Sequence, residues 1–395
     1  MLPALVMTCL IGTFARADVL VQTLSGSMRG EIERLSFAEG LRLTDDTGNP
    51  VAIKTEDLVA VDFDRESDPF QGRRILVNLQ RGDRLFGNLV QGDDDGVTFD
   101  SPGMGRVKLP LEQIRSIQTG LSREAAHRDA ANWFLRQPLG EEDAVLLTNG
   151  DVATGFITRV ESDGIGIETA VGESKVDFRL IIAARFVAGE DAQVDGMSFL
   201  VSTVDQSRLT CRDFEMRDGK VQVTAAFGAK ALVPADRLMR IEVIGGRWIH
   251  LTALTPISYE QVPMLSIPWP WVSNRNVMGK RIQVAGESYD RGLGVHSRAV
   301  LVYELGGQFS EFVTAAGLDD ASGAWADVSI AILLDGQALF EREGLRRGEL
   351  IGPMRFDVSR GRSLSLICDY GKNGDIQDRF NWIAPALIRK APPNP

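Results

Sequence analysis

Four oxygen-bearing side chains lie close together near the carboxyl end of the chain: Asp369, Asn373, Asp375 and Asp378. Two glycines stand between them, and glycine allows the tight turns that a metal-binding loop needs. Hard cations such as calcium prefer carboxylate and amide oxygens as ligands. The stretch therefore predicts a site for a structural calcium ion. The spacing is not that of an EF-hand, and the alternative is a polar hairpin loop without metal.

The sequence lacks the patterns that carry out the common catalytic reactions. It has no His-x-x-x-His, no Cys-x-x-Cys, no Gly-x-Ser-x-Gly and no phosphate-binding Gly-Lys-Ser/Thr. Its 3 histidines are far apart in sequence and supply few general bases. A glycosidase needs two carboxylates that flank a cleft, whereas most carboxylates here lie in turn-like stretches. We therefore expect that the protein is not an enzyme.

Short strands must position the residues at the carboxyl end. Runs of four to eight residues, several of them alternating apolar and polar, are typical of half-buried strands. The predicted strands are residues 299–305, 311–315, 327–334, 354–358 and 363–368. Turn residues such as Gly306-Gly307 and Asp335-Gly336 separate them. Regular short strands without helices between them predict an antiparallel β-sandwich.

The same region resembles the NPCBM family of carbohydrate-binding modules, which occur beside glycosyl hydrolase family 98 domains. The resemblance covers about residues 254–389 and depends on four segments in order. They are Arg291-Gly-Leu-Gly-Val-His296-Ser297, Gly317-Leu-Asp319-Asp320, Leu334-Asp335-Gly336 and Asn381-Trp382. The resemblance implies a galactose-binding-like jelly-roll β-sandwich, recognition of a glycan by loops at one end, galactose-type sugars as ligands, and in some members a bound calcium ion.

A sugar site within such a module requires an aromatic platform and polar groups, because a pyranose presents an apolar face and hydroxyl groups. The candidates in this sequence are His296, Asp320, Trp325, Asn381 and Trp382. Trp325 lies in a glycine-containing loop, where a tryptophan has little structural purpose. The alternative for Trp382 is a core residue beside a turn asparagine, and the alternative for His296 is a buried histidine bonded by the backbone.

Composition limits the partners of the chain. The 395 residues carry a formal net charge of −11, and an acidic chain gains little from counterion release on a phosphate backbone. We therefore expect no nucleic-acid partner. No apolar run after the first residues is long enough to span a membrane, so we expect no transmembrane segment.

The first 17 residues resemble a secretory signal peptide. An apolar stretch precedes Ala15-Arg16-Ala17, a small-x-small cleavage site, although no basic residue comes before it. We therefore expect an extracytoplasmic protein, periplasmic or secreted; the alternative is a buried first strand. Cys211 and Cys368 remain in the mature chain. They fall in separate predicted domains, which favours two buried free thiols over a disulfide.

The region between the signal and residue 244 repeats itself with a period of about 45 residues, which indicates duplication. Leu79 to Gly87 and Leu147 to Gly155 share the pattern L-x-x-G-D-x-x-x-G. Four acidic-glycine pairs each precede a strand pattern: Glu39-Gly40, Asp95-Gly96, Asp163-Gly164 and Asp218-Gly219. An apolar residue follows at a near-constant distance: Leu58, Ile114, Ile182 and Leu238.

Each repeat has the outline of a small five-stranded barrel of Sm-like or SH3-like type. In such a barrel, Gly87 and Gly155 allow a strand to bend sharply. Asp83 and Asp151 are predicted to cap turns by bonding their own backbone, with a binding role as the alternative. Between the second and third repeats, residues 122–137 predict a helix whose apolar face holds Ala126, Ala130, Trp133 and Phe134.

The predicted order of domains follows from these patterns. It is a signal peptide at 1–17, two β-barrel-like repeats at 18–120, a helical connector at 121–140, two further repeats at 141–244, a linker at 245–255 and the sandwich at 256–390. The predicted function is non-catalytic carbohydrate binding by the sandwich. The alternative is a structural or adaptor protein of the cell envelope that uses both regions for contacts with other proteins.

Overall fold

The computed structural model of the chain describes residues 18–68, 75–93, 96–119, 125–138, 140–187, 196–217, 219–264 and 268–391. The predicted signal peptide lies outside these residues. Contacts divide the chain into two compact units, Met1–Gly246 and Arg247–Pro395. The described parts of both units consist mainly of antiparallel strands, so the predicted all-β class is confirmed. Among the described residues, no helix combines the length and the apolar character needed to cross a membrane.

The described part of the first unit contains four repeats of five strands. Repeat one has β1 Asp18–Thr23, β2 Ser27–Ser36, β3 Gly40–Asp45, β4 Pro50–Ile53 and β5 Leu58–Asp62. Repeat two has β6 Ile75–Leu79, β7 Arg84–Asp93, β8 Gly96–Ser101, β9 Gly105–Pro110 and β10 Ile114–Gln118. Helix α1, Ala125–Arg136, follows. Repeat three has β11 Asp143–Leu147, β12 Val152–Val160, β13 Gly164–Thr169, β14 Gly172–Asp177 and β15 Ile181–Arg185. Repeat four has β16 Ser198–Thr203, β17 Arg208–Arg217, β18 Lys220–Ala225, β19 Lys230–Pro234 and β20 Leu238–Ile244.

The four repeats have the same strand pairing. In each, the first strand pairs with the second and the fifth, the second pairs with the third, and the third pairs with the fourth. The fifth strand begins at the predicted apolar residue in three repeats. In repeat three it begins at Ile181, whereas Ile182 belongs to a separate cluster with helix α1.

The four repeats share one hydrophobic core, a cluster of buried side chains that extends from Val19 to Val243. Strands also pair between repeats, β5 with β20 and β10 with β15. Helix α1 covers part of repeat three with Ala131 and Phe134. The predicted apolar face of the helix is wrong for Ala126 and Trp133, which are exposed, because this helix needs only a narrow face to cover β11 and β15.

Gly87 and Gly155 lie where the second strand of a repeat changes partners. Gly87 is the last residue of β7 opposite β6, and the next residue lies opposite β8. A Cβ on Gly87 would stand 2.2 Å from the carbonyl oxygen of Asp100, and one on Gly155 would stand 2.1 Å from that of Glu168. These glycines therefore allow the third strand to approach closely as the sheet bends, as the sequence predicted.

Asp83 joins repeat two to repeat four. Its carboxylate is buried and accepts hydrogen bonds from the backbone nitrogen and the hydroxyl of Thr210, at 2.9 Å and 2.8 Å. The predicted turn-capping role is therefore wrong for Asp83, because its partners lie on another repeat. Asp151 is exposed and bonds locally to Asn149, at 2.6 Å. Burial raises the pKa of Asp83 to about 6, although the bonds from Thr210 oppose this.

This raised pKa predicts a pH dependence of stability. The pKa of Asp83 in the folded chain, about 6, exceeds its usual value of 3.8. The folded state therefore binds more protons between these values. The contribution of Asp83 to the free energy of unfolding is complete below about pH 4 and decreases, by at most roughly 3 kcal/mol, as the pH rises through 6. Asn can make both bonds to Thr210, so Asp83→Asn should remove this slope.

Urea unfolding between pH 4 and pH 7 measures the slope, with Asp151→Asn as the control at the equivalent exposed position. We expect the control to keep the slope of the natural chain. An unchanged slope in Asp83→Asn would show that the carboxylate does not titrate in this range.

The second unit contains two main sheets. Its strands are β21 Trp248–His250, β22 Ser258–Gln261, β23 Val272–Ser273, β24 Ile282–Val284, β25 Glu287–Tyr289, β26 Gly292–His296, β27 Ala299–Glu304, β28 Phe309–Leu318, β29 Asp327–Leu334, β30 Gln337–Arg346, β31 Leu350–Asp357, β32 Ser363–Tyr370 and β33 Arg379–Arg389. One sheet has the order β23-β26-β33-β28-β31, with β21 beside β33. The other has the order β22-β27-β32-β29-β30, and β24 and β25 form a hairpin.

A single cluster of buried side chains fills the sandwich, from Leu251 to Leu387. Alternate residues along β27 and β32 face this core, which explains the alternation seen in the sequence. Cys368 belongs to this cluster, and Cys211 belongs to the core of the first unit. Both thiols are free and buried, as predicted.

The predicted linker at 245–255 is wrong over most of its length. Trp248–His250 forms β21, whose residues pair with Ala386 to Ile388 of β33. Leu251 is fully buried in the core of the sandwich. Sequence reasoning missed this strand because it is short and because its partner lies at the other end of the unit.

Removing β21 should weaken the second unit, because it leaves the edge of β33 unpaired and exposes apolar core. We expect a fragment of residues 247–395 to unfold cooperatively, and a fragment of residues 252–395 to unfold at a lower temperature. Calorimetry of the two fragments measures the difference. Equal melting temperatures would show that β21 contributes nothing to the stability of the sandwich.

Candidate functional site

One end of the sandwich brings the predicted site residues together. In one sheet, His296 lies opposite Arg379. In the other, Val328 lies opposite Tyr370. The segments beside these positions meet, because Ser297 and Asp327 both bond to Asp378 and Asn373 bonds to Trp325, so they lie at the same end of the unit. We call this end the loop end, and it consists of residues 296–298, 319–326 and 371–378.

Asp378 lies at the buried centre of the loop end. Its carboxylate accepts a hydrogen bond from the Ser297 hydroxyl at 2.8 Å and from the backbone nitrogen of Asp327 at 3.2 Å. Burial, with a smaller effect from the nearby carboxylates of Asp375 and Asp327, raises the pKa of Asp378 to about 6, although the two hydrogen bonds oppose this. This predicted metal ligand therefore holds three chain segments together.

The other three predicted metal ligands also have protein partners. Asp369 pairs with the guanidinium of Arg298 at 3.4 Å. The Asn373 amide nitrogen donates to the carbonyl of Trp325 at 3.0 Å, and Asp375 accepts from the backbone nitrogen of Met264 at 3.1 Å. Within the described ranges, which include all four residues, no three His, Cys, Asp or Glu side chains are grouped in a way that could hold a metal. The calcium site stays a prediction.

Trp325 is the predicted sugar-contacting residue that faces solvent, with 70% of its surface exposed. The segment that carries it is held by its backbone. Asp319 accepts from the backbone nitrogen of Ala321 at 3.1 Å, and Arg347 donates to the carbonyl of Ser322 at 3.1 Å. With the bond from Asn373, these contacts fix the course of the loop beneath the indole.

Asp320 belongs to the same loop but already has two backbone partners. Its carboxylate accepts from the nitrogens of Ala285 and Gly286, at 3.0 Å and 2.9 Å, in the turn between β24 and β25. These bonds tie the hairpin to the loop that carries Trp325. The structure therefore gives Asp320 a positioning role beside the loop end.

His296 is almost fully buried. Its ring stacks on that of Trp269, with the centroids 5.0 Å apart and the planes 11° from parallel. Its Nδ1 lies 3.1 Å from the carbonyl oxygen of Ser297. Burial lowers the pKa of His296 below its usual value. Trp269 covers the ring and the backbone bonds it, so little of His296 is open to solvent, and its predicted contact with a sugar stays a prediction.

Asn381 and Trp382 are fully buried, so neither side chain is open to solvent, and their predicted contact with a sugar stays a prediction. The Asn381 amide nitrogen donates to Asp319 at 3.1 Å. The Trp382 ring packs edge-on against Phe380, with the centroids 5.0 Å apart. Both residues belong to β33, and the core position of Trp382 was the stated alternative. These side chains position the loop of Trp325 from below.

Sequence reasoning missed several residues of the loop end. Met264 and Ile376 are exposed, and Met264 lies beside Gly374, where a Cβ would stand 3.0 Å from its sulfur. Arg379 donates to the carbonyl of Ala321. No motif marks these positions, because a contact to a backbone carbonyl depends on which loops meet. The exposed Ile376 in the glycine-containing loop at 371–378 was a signal that could have been read.

The NPCBM/NEW2 domain family model matches residues 250–388. This confirms the resemblance that the sequence motifs indicated. The matched residues lie within the second unit and include every residue of the loop end. No curated protein sequence matches the chain.

Three similar solved structures come from Clostridium perfringens. CBM51 of GH95, in complex with methyl-galactose, is 23% identical over 35% of this chain and 99% of its own, with a TM-score of 0.31. CBM51-2 with the INT domains of ZmpB, in complex with GlcNAc, is 18% identical over 48% of this chain and 43% of its own, with a TM-score of 0.33. The M60 catalytic domain of ZmpB with CBM51-1 and CBM51-2 is 11% identical over 95% of this chain and 52% of its own, with a TM-score of 0.32. This chain thus spans about half, or less, of the two ZmpB chains.

The calcium prediction has a direct test. Calcium that binds the folded chain at Asp375 and its neighbours raises stability in proportion to RT ln(1 + [Ca²⁺]/Kd). The melting temperature should then be higher in millimolar calcium than in EDTA, and Asp375→Asn should reduce the difference. Magnesium is the control, because its smaller octahedral shell suits such loops less well. Equal melting temperatures in calcium and EDTA would refute the prediction.

Proposed function

We propose that the second unit is a non-catalytic carbohydrate-binding module that binds pyranose sugars at the loop end. The observation that carries this proposal is the exposed indole of Trp325, on a loop whose backbone is bonded on several sides. An exposed tryptophan has no packing role, and tryptophan is enriched at binding surfaces because its ring is apolar and its N–H is polar. The match of residues 250–388 to the NPCBM/NEW2 family supports the same function.

The contacts beneath Trp325 favour tight recognition by a fixed surface. Asn373 holds its carbonyl, and Asp319 and Arg347 hold the turn before it. A loop that is ordered before binding loses less conformational entropy when a ligand arrives. The indole then offers its flat face to the C–H face of a sugar ring.

Polar groups beside Trp325 complete the chemistry that a sugar requires. Asn373 and Asp375 are half-exposed on the neighbouring segment of the loop end. Asn373 uses its amide nitrogen and Asp375 uses one carboxylate oxygen for a protein contact. The amide oxygen of Asn373 and the other oxygen of Asp375 can each accept a hydrogen bond from a hydroxyl group. An acceptor pair next to an aromatic face suits adjacent ring hydroxyls, and galactose-type sugars are the class that the family resemblance implies.

The cellular setting of the proposal depends on the sequence. The signal-like first 17 residues favour export, so the proposed location is periplasmic or secreted. The net charge of −11 argues against a nucleic-acid partner. Calcium remains part of the proposal as a structural ion for the loop at 369–378.

A role in protein contacts is the second candidate function, and an observation on the first unit favours it. Repeat three exposes large apolar side chains, among them Val152, Phe156, Val171 and Leu180. Surfaces of this kind are used to bind other proteins. The first unit could thus anchor the chain to an envelope protein while the second unit binds the glycan.

A glycan array with the full chain tests the proposal, in the presence and absence of calcium. Trp325→Ala should weaken binding of the preferred glycan by roughly tenfold or more, which corresponds to about 1.4 kcal/mol. Its melting temperature should not change, because the indole is exposed. His296→Ala is the contrasting variant and should lower the melting temperature, because it removes a buried ring that packs on Trp269.

Trp325→Phe is the conservative variant and should retain part of the affinity. Binding that is unchanged in Trp325→Ala would move the site to another loop. If the full chain binds no glycan on the array, the proposal fails, and capture of an envelope protein by the full chain would then favour the second candidate.

A further inference from the structure

Helix α1 presents a second exposed tryptophan, in the first unit. Trp133 has 63% of its surface exposed. It lies in a shallow concavity of about 440 Å³, whose other lining residues are Asp129, Asn132, Arg136 and Gln137. Four of the five lining residues belong to α1 and Gln137 directly follows it, so the concavity is an open surface along one helix. An aromatic ring surrounded by carboxylate, amide and guanidinium groups therefore lies at a surface far in sequence from the loop end.

The helix holds these side chains on one face. Asp129, Asn132, Trp133 and Arg136 follow the spacing i, i+3, i+4, i+7, which places residues next to each other along an α-helix. The opposite face is fixed, because Phe134 is buried against repeat three. The guanidinium of Arg185 lies 4.5 Å from the centre of the Phe134 ring and donates to the carbonyl of Gln137 at 2.7 Å. The orientation of Trp133 toward solvent thus follows from a well-packed helix.

The composition of the concavity indicates the kind of ligand. Four of its five lining side chains are polar, and Trp133 supplies the apolar ring. The centre of a protein–protein interface is usually depleted of charged residues, so this composition does not favour a protein partner. A pyranose has one apolar C–H face and several hydroxyl groups, which match one indole and several donors and acceptors. The charges of Asp129 and Arg136 cancel, which favours a neutral sugar.

We propose that this face of α1 is a second carbohydrate-binding site, which takes a neutral pyranose. The sugar stacks on Trp133, and its hydroxyl groups bond to Asp129, Asn132 and Arg136. The site is independent of Trp325 and goes beyond the function proposed for the second unit. A chain with two such sites can hold a polysaccharide more firmly than either site alone where both engage the same polymer.

The test uses the full chain in four forms: natural, Trp133→Ala, Trp325→Ala and the double variant. The probe is an array of immobilised neutral glycans, including galactosides, glucosides and mannosides. We expect Trp325→Ala to retain binding to some of these glycans. We expect Trp133→Ala to weaken that remaining binding by roughly tenfold or more, with an unchanged melting temperature because the indole is exposed.

Two further variants make the result specific. Asn132→Ala should weaken the same glycans while leaving the helix packed, since its side chain is exposed. Leu232→Ala removes an exposed apolar side chain on repeat four outside the concavity, and should leave glycan binding unchanged. If Trp325→Ala alone abolishes all binding, or if Trp133→Ala retains it, the α1 site is refuted while the loop end stands. If Trp133→Ala instead changes the mass of the particle in sedimentation, α1 is a protein contact and the proposal is wrong.

Discussion

The buried carboxylate of Asp378 is the interaction on which the loop end depends. It bonds to Ser297, which follows β26, and to the backbone nitrogen of Asp327, which begins β29. It thereby joins segments of both sheets at the point where the chain enters β33. Burial of a charged carboxylate removes its hydration, which is unfavourable unless hydrogen bonds compensate. The raised pKa of Asp378 indicates that its two hydrogen bonds compensate only in part. The hydrogen bonds of Asp378 support the loops that carry Trp325 and Asn373.

The fold of the first unit depends on a different constraint, the sharp bending of one strand in each repeat. Each repeat must bend one strand so that it pairs with two neighbours in turn, and Gly87 and Gly155 make room for the third strand to approach. Such small sheets would bury little apolar surface alone. Strand pairing between repeats and one shared core increase the buried apolar surface. Asp83 adds a buried polar contact between repeats two and four.

Each unit holds one exposed tryptophan on a fixed backbone, and the second unit also buries a tryptophan in its core. Trp382 fills the core of the sandwich, where its ring packs on Phe380. Trp325 and Trp133 are held outward by backbones that are fixed on their other side, by hydrogen bonds in one case and by a packed helix face in the other. An exposed indole on a fixed backbone is a ready surface for a flat apolar partner, and the polar groups around each ring are those that hydroxyl groups need.

The amino-acid sequence by itself determined the fold class, five strands of the sandwich, the recurring strand pattern of the first unit and the free state of Cys211 and Cys368. Periodicity, glycine turns and repeated spacing are local signals, and the hydrophobic effect translates them directly into strands and cores. It also marked the exposed position of Trp325, because a tryptophan in a short glycine-containing loop has no strand to pack from.

Only the tertiary structure decided which polar residues are buried beneath the loop end and which remain at the surface. His296, Asn381 and Asp378 have residue types that suit binding, yet burial and distant partners assign them to support. Strand β21 and the contact of Asp83 with Thr210 likewise join residues that are far apart in the chain. The physical reason is the same in each case. Exposure and hydrogen-bond partners are set by long-range packing, which the residue type and its neighbours in sequence do not specify.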